Sequence, residues 1–458
     1  MTLRISPEEI ASRSASPLLA VAHWWERCRL GDVAEVANGA AFKSKEFNTN
    51  GDGLPLIRIR DVGQPEASTH YSGEYKTDYL VQSGDLLIGM DGDFRIARWN
   101  GVQSLLNQRV CRLRVGSSRF YSDRFLEHVL QPYLDEIHKA TSAVTVKHLS
   151  SRTVQDLPIP LPPRAEQERI VSAIEEHFSR LDFAETALEA TRSKLQTLRR
   201  SVLAAAFYGR LTNPSHTTNA DCEQLPGDWR LASIADVAEV HLGRQRSPQH
   251  HTGEQMRPYL RAANVTWDGI NLEDVKTMNF HDADFDRFRL TRGDILLNEA
   301  SGSPNEVGKP AVWGGEIEDC CFQNTLLRLR PRDLNGDYLY WYCYSSALSG
   351  RFGEAGRGVN IRHLGKRGLS QFPIPLGPRA EQERVVDAIE ESLSRLDAAE
   401  ATFDAVRSKM GAFRRSVLAE AFAGRLVPQN SDDEPAAALL ARIAAERPVR
   451  PTSRKRSK

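Results

Sequence analysis

Leu157 to Leu211 reads LPIPLPPRAEQERIVSAIEEHFSRLDFAETALEATRSKLQTLRRSVLAAAFYGRL, and Phe372 to Leu426 reads FPIPLGPRAEQERVVDAIEESLSRLDAAEATFDAVRSKMGAFRRSVLAEAFAGRL. The two stretches align without a gap at an offset of 215, and 37 of the 55 positions are identical. Chance does not produce such a match, and an internal repeat fixes architecture before any finer reading. Pro163 and Pro378 stand where a helix can begin, and Gly209 and Gly424 where one can end. Between them apolar residues recur mostly at spacings of three and four: Ile170, Ile174, Phe178, Leu181, Ala184, Leu188, Leu195, Leu198 and Val202. The second copy repeats the stripe at Val385, Ile389, Leu393, Leu396, Ala399, Phe403, Met410, Phe413 and Val417. That is the period of a coiled-coil seam. Each helix is expected to run about 45 residues, roughly 65 Å at 1.5 Å per residue. One stripe alone stays wet, whereas two in one chain can bury each other. Topology leaves either orientation open; a whole intervening domain can return the chain for an antiparallel pair.

Working outward, the repeat continues upstream in fragments. Trp25 and Asp32-Val33-Ala34-Glu35-Val36 match Trp229 and Asp236-Val237-Ala238-Glu239-Val240 at an offset of 204. Gly84-Asp85-Leu86-Leu87 echoes Gly293-Asp294-Ile295-Leu296, and Leu113-Arg114 echoes Leu329-Arg330. Val144-x-x-Lys147-His148-Leu149 echoes Val359-x-x-Arg362-His363-Leu364. The chain is therefore two units, each a divergent domain followed by a nearly invariant helix. Within the divergent part, Leu56 to Arg60 alternates like a half-exposed strand, and Asp85 to Ile88 follows a Ser-Gly turn as a short apolar strand. Arg109 to Val115 reads as an arginine-rich strand, and Phe120 to Lys139 as a helix with Phe125, Val129, Leu130, Leu134 and Ile137 on one side. The fold class is α/β (α+β), with mixed or antiparallel sheets in the divergent domains.

Composition bounds the functions. The chain has 458 residues, is 40% hydrophobic and 26% charged, and balances 60 Lys+Arg against 60 Asp+Glu. A nonspecific nucleic-acid binder is usually basic overall, so any DNA contact here needs focused charge or partners that supply it. No run of about 18 apolar residues marks a membrane span. Met1 to Ala20 lacks the apolar core of a secretory signal. The six cysteines make no C-x-x-C pair and no disulfide framework, which points to a reducing cytoplasm. From Ser431 the composition changes: Ala436 to Glu446 has the makings of a short helix, and Arg447 to Lys458 carries six basic residues and no acidic ones. That last stretch reads as a solvated tail or a phosphate-contacting arm.

Catalytic signals are absent or weak. His250-His251 has no partners at ligand spacing. Gly302 to Lys309 only superficially resembles a phosphate-binding loop, because its first glycine falls one position out of register. Asp61 with Glu74 and Lys76 imitates a metal-dependent nuclease, but the other repeat has no counterpart. No N-P-P-Y or D-P-P-Y segment of an amino-methyltransferase occurs. A duplicated chain without a duplicated catalytic cluster reads as a binding scaffold.

The order of framework strand, variable domain, (L/F)PIPL, RAEQER, long helix and GRL resembles the specificity subunits of Type I restriction–modification systems, over roughly residues 20 to 430. Pro158 to Glu168 and Pro373 to Glu383 carry the resemblance, with Leu106 to Gln108 and Phe322 to Asn324 as further matching segments. It implies target-recognition domains at 1–156 and 216–371, helical regions at 157–215 and 372–430, and a basic disordered tail at 431–458. Each domain would read one half of a bipartite double-stranded DNA site. The helices would pair as an antiparallel coiled coil, separate the readers and dock two methyltransferase subunits, which motor–endonuclease subunits then join. S-adenosylmethionine, ATP and Mg would belong to those partners, leaving this chain non-catalytic and without a metal. The helix length caps the spacer at about 20 base pairs. Arg reads guanine edges and Asn or Gln adenine edges. Candidate DNA contacts are Lys43, Lys45, Arg58, Arg60, Asp91, Arg95 and Arg98 in the first domain. In the second they are Arg244, Arg246, Gln249, Arg261, Asn264, Asn298, Ser303, Asn305 and Lys309. Arg164 to Glu168 suits a helix start and a docking surface, since glutamates favour a helix N-terminus. A protein-only coiled-coil adaptor and a self-sufficient nuclease are the competing readings.

Overall fold

A computed structural model describes residues 6–140, 148–212, 225, 227–301, 303, 306–355 and 362–446. Contacts divide the chain into two units, 1–186 with 406–458, and 187–405. This differs from a strictly linear segmentation, because each long helix is shared. The first runs Arg164–Ala206 and the second Arg379–Phe422, so each unit holds the start of one and the end of the other. Both stop where expected, with Gly209 and Gly424 at positive φ of 70°.

In each unit a four-stranded antiparallel sheet forms the centre. In the first, Ala34–Asn38, Val110–Val115, Leu86–Gly89 and Ile96–Arg98 lie side by side in that order. In the second the order is Ala238–Leu242, Leu326–Pro331, Ile295–Asn298 and Pro310–Val312. Beside each lies a second sheet, of five short strands in the first unit and three in the second, with one parallel pairing. Leu56 and Ile57 pair with Leu105 and Leu106, and Tyr259 and Leu260 with Cys321 and Phe322. The sheets are mixed and duplicated, as the repeat required. One expectation is corrected: Leu56 to Arg60 is not a continuous strand, because Leu54–Ile57 ends in a tight turn at Ile59–Asp61.

Several positions of the near-invariant motif are structural. Pro158–Leu161 pairs antiparallel with Glu26–Arg29, and Pro373–Leu376 with Arg230–Ser233. The PIPL segments thus form two-stranded sheets with strands of the preceding divergent parts, and a boundary before Leu157 cuts through a strand pair. Prolines fit because these are two-stranded edges. Gln167 is fully buried; its Oε1 accepts from the Ser122 N–H (2.7 Å) and its Nε2 donates to the Phe120 and Pro162 carbonyls. Gln382 repeats this with the Asn335 N–H (2.9 Å) and the Gly377 carbonyl. An apolar residue there would strand several buried polar groups at about 1–3 kcal/mol each. Tyr121 and Tyr338 donate to the Pro160 and Pro375 carbonyls in the same matched fashion.

The helices pair antiparallel within each unit. In the first, Arg414 engages Asp182 and Glu185, and the rings of His177 and Phe413 meet at 6.0 Å. In the second, Arg199 engages Asp397 and Glu400, while Arg192 approaches Asp404. Ile170, Ile174, Val385, Ile389, Leu393 and Leu396 are buried as a seam demands, and Phe178, Leu181, Leu188, Leu195, Phe403 and Met410 are half-buried. Leu198 and Phe413 depart from it, each 48% exposed. Apolar period alone could not separate them from the buried positions.

The tail is a further correction. Ala436–Glu446 is a helix whose Ala436, Leu439 and Ile443 are buried, the last two in the first unit's core. Arg169 pairs with Asp433 (2.5 Å) and Arg442 lies over Phe120, so 431–446 is an integral part of that unit. The basic stretch 447–458 lies outside the described residues.

Candidate nucleic-acid interface

One end of each central sheet is closed by an ion pair and the other opens into loops. At the closed end Arg114 clamps Asp85 with two bonds (2.5 and 2.6 Å), and Arg330 clamps Asp294 likewise (2.7 and 2.8 Å). The carboxylates raise both guanidinium pKa values. Two further strand arginines, Arg112 and Arg328, are buried and donate to backbone carbonyls, and burial lowers their pKa values. The arginine richness of these strands therefore serves the interior.

The loop end is built to one plan in both domains. Gly39 and Gly243 lie against the Asn107 and Gln323 carbonyls so tightly that a Cβ would stand 2.1 and 2.2 Å from the oxygens. Parallel bridges follow, Ala40 to Asn107 and Arg244 to Gln323, which accounts for the two segments that matched the family. Asp61 Oδ2 accepts from the Arg58 N–H (2.9 Å), and Asn264 Oδ1 accepts from the Arg261 N–H (3.0 Å). This R-x-x-(D/N) match, at an offset of 203, is faint in the sequence because only the arginine is identical. Buried Asp61 is thereby a turn cap, which removes the carboxylate of the nuclease reading. No group of three potential metal ligands occurs among the described residues.

The loops converge through the backbone. Met90 N–H donates to the Arg109 carbonyl, and Leu149 N–H to the Met90 carbonyl. Glu299 N–H donates to the Thr325 carbonyl, Leu364 N–H to the Glu299 carbonyl, and Ala262 N–H to Thr325 Oγ1. Of the candidates, Lys43, Lys45, Arg60 and Arg95 are exposed on the first domain's loops, and Arg246, Gln249 and Ser303 on the second's. Arg60 donates to Ser68 and Thr69. Arg246 donates to His251 (3.1 Å), and the Gln249 amide lies 3.3 Å from His250 Nε2. Partial burial and the Arg244 cation lower the His250 pKa, so this ring favours the neutral form. Arg58 is half-buried and its guanidinium stands 6.0 Å over Phe47. Arg261 pairs with Asp274, and Lys309 with Glu306.

Four candidates are corrected. Arg98 sits at the closed end, bound to Asp123, Glu127 and the Gly84 carbonyl. Arg244 is buried, engages Asp284 and the Asn279 carbonyl, and lies over Phe280. Asn264 and Asn298 are buried, and Asn264 caps its turn. Arg98, Arg244 and Asn264 each hold a loop from inside, a distinction composition does not reveal, whereas Asn298 is buried with its Oδ1 unpartnered among the described residues. Asn305 lies outside the described residues. Of the candidates, Asp91 pairs with His148 and with Arg109, and a matching pair outside the candidates joins Glu299 to His363. The V-x-x-(K/R)-H-L echo was the only signal of the two histidines.

Two copies of a loop-bearing sheet, each packed in its own unit with segments of both long helices, define a duplicated scaffold. The comparisons agree. The family model for the Type I restriction modification DNA specificity domain matches residues 23–191. The EcoBI specificity subunit of Escherichia coli is 31% identical, aligning 98% of this chain with 97% of its own. The StySPI specificity subunit of Salmonella potsdam is 23% identical over 94% and 98%. A solved chain from a type I R-M system matches with a TM-score of 0.67 at 18% identity, covering 88% of this chain and 99% of its own. The HsdS subunit of Thermoanaerobacter tengcongensis matches at 0.51 and 19%, over 88% and 98%. The chain belongs to the specificity subunits of Type I restriction–modification systems: it confers DNA sequence specificity and is not itself an enzyme.

Proposed function

We propose that each loop end reads one half of a bipartite DNA site, while the paired helices set the half-site spacing and dock two methyltransferase subunits. The supporting observation is the shared plan: the same glycine-tight backbone in both domains, carrying different side chains. A common scaffold presents the loops alike, and different side chains select different bases. The first domain contacts DNA through Lys43, Lys45, Arg58, Arg60 and Arg95, joined by Arg109, while Asp91 lies behind them, bonded to His148 and Arg109. The second uses Arg246, Gln249, Arg261, Ser303, Asn305 and Lys309. A chain of zero formal charge depends on its partners for much of the phosphate attraction that dominates affinity. Motor–endonuclease subunits complete the complex, and S-adenosylmethionine, ATP and Mg act on the partners. No helix among the described residues is long and apolar enough to cross a membrane, consistent with work in the cytoplasm.

Methylome sequencing of a host expressing this chain with its methyltransferase subunit tests the reading. A bipartite motif with a fixed unspecified spacer, lost when this chain is omitted, is expected. Unchanged methylation, with the methyltransferase folded and bound to this chain, would instead favour a protein-only adaptor.

A further inference from the structure

We propose that His148 and His363 are phosphate contacts, one in each recognition domain, each aimed by the carboxylate behind it and protonated as DNA binds. The inference rests on the loop end being the DNA face. His148 Nδ1 lies 2.6 Å from Asp91 Oδ1, and His363 Nδ1 lies 3.0 Å from Glu299 Oε2. The acids are mostly covered, at 17% and 15% exposure, while the rings stand out at 51% and 56%. Each pair is thus a carboxylate inside and an imidazole outside.

The two pairs are not simple copies. The histidines occupy equivalent positions, but their acids do not. Leu149 N–H bonds the Met90 carbonyl and Leu364 N–H bonds the Glu299 carbonyl, which aligns Glu299 with Met90. Asp91 is one residue further on. The domains have diverged in the segment after the strand Leu86–Gly89 or Ile295–Asn298 and yet retain the pairing, using the longer side chain from the earlier position. Two solvated histidines without a role would not need it.

The chemistry follows from the ring. A carboxylate at Nδ1 holds the proton there and turns Nε2 outward. In the neutral ring Nε2 offers only a lone pair, which a phosphate oxygen repels; in the imidazolium it offers an N–H and a charge. A phosphate arriving at Nε2 therefore favours uptake of a proton from solvent, with the carboxylate sharing the charge from behind. The other charged groups nearby act against it. Arg109 Nε stands 3.4 Å from Asp91, while Arg362 adjoins His363 and Lys366 lies on the following helix. Arg362 is directed to the Gly353 carbonyl.

Calorimetry of the complex with its methyltransferase subunits tests this, using duplex DNA carrying the methylated motif. Titrations near neutral pH in buffers of different ionisation enthalpy count the protons taken up. The parent is expected to take up protons on binding. His148→Gln and His363→Gln are each expected to remove one domain's share and to reduce the log–log salt slope by about 1, leaving the motif unchanged. Asp91→Asn and Glu299→Gln keep a hydrogen-bond partner, free the ring and should lower the uptake in part, so the proposal stays testable if a histidine variant misfolds. Specific binding with proton uptake unaltered in the double histidine variant would overturn the role. Relaxed base preference in one half-site would overturn it too, by making the histidine a base reader. Failure of the parent complex to bind its motif would overturn the interface itself.

Discussion

Replacing Gly243 with alanine should disable the second half-site and spare the first. The added Cβ would stand 2.2 Å from the Gln323 carbonyl oxygen and 2.8 Å from the Phe322 ring, whereas ordinary contact begins near 3.4 Å. The Gln323 backbone must therefore withdraw by about 1 Å, since overlap at this range cannot be absorbed in a close-packed site. Two hydrogen bonds oppose the movement, from the Arg244 N–H to the Phe322 carbonyl (3.1 Å) and from the Asn324 N–H to the Arg244 carbonyl (3.0 Å). Losing both costs about 2 kcal/mol. Overpacking adds about 1–3 kcal/mol, for a total of roughly 3–5 kcal/mol against the second domain. Denaturant unfolding reads the stability, and methylome sequencing reads the function. The second half of the motif should degenerate or vanish while the first persists, and Gly39→Ala should do the reverse. Stability within about 0.5 kcal/mol of the parent, with both half-sites intact, would refute the claim that this close approach positions the loops.

Four further outcomes follow from the same geometry. Asp294→Asn keeps an acceptor for the Thr291 N–H but loses the charge facing Arg330; with Asp294 1% and Arg330 33% exposed, unfolding should show a loss of about 2 kcal/mol, the arginine being free to rehydrate. Glu166 is desolvated by burial, which raises its pKa despite the Trp25 N–H. The folded carboxyl holds its proton more tightly than the unfolded one, so its contribution is full below the unfolded pKa and is lost as pH rises through the folded value; Glu166→Gln should flatten that segment of a stability-against-pH profile. Truncation after Asn430 exposes core around Leu439 and Ile443 and should cost several kcal/mol, read from the denaturant midpoint. Inserting four residues at matching points in both long helices should change the preferred half-site spacing, read from the methylated motif.

The duplication was legible because its residues recur at constant offset, and the helices because their period is long. The echoes of Asp85 with Asp294 and of Arg114 with Arg330 were equally visible, yet nothing in a linear string says that these four form two clamps. The site was harder. Arg98, Arg244 and Asn264 have the chemistry of readers, but tertiary partners give them other work, and Asn298 is withdrawn by burial alone. His148 and His363 were seen as a repeat and passed over, since an acid some 60 residues away is supplied only by the fold. Ala436 to Glu446 was read as a potential helix, but its docking onto a domain begun more than 400 residues earlier has no sequence signal.

The sharing of helices between units has a consequence for biosynthesis. The first unit's core includes Val417, Ala421, Phe422, Leu439 and Ile443, and about 220 residues of the other unit are translated before any of them. At roughly 5–20 residues per second that is a wait of about 10–40 s. During it Trp25, Phe125, Ile170 and Ile174 face an apolar surface with nothing yet to cover it. A ribosome that stops early therefore releases a fragment with this apolar surface uncovered, fit for chaperones and proteases.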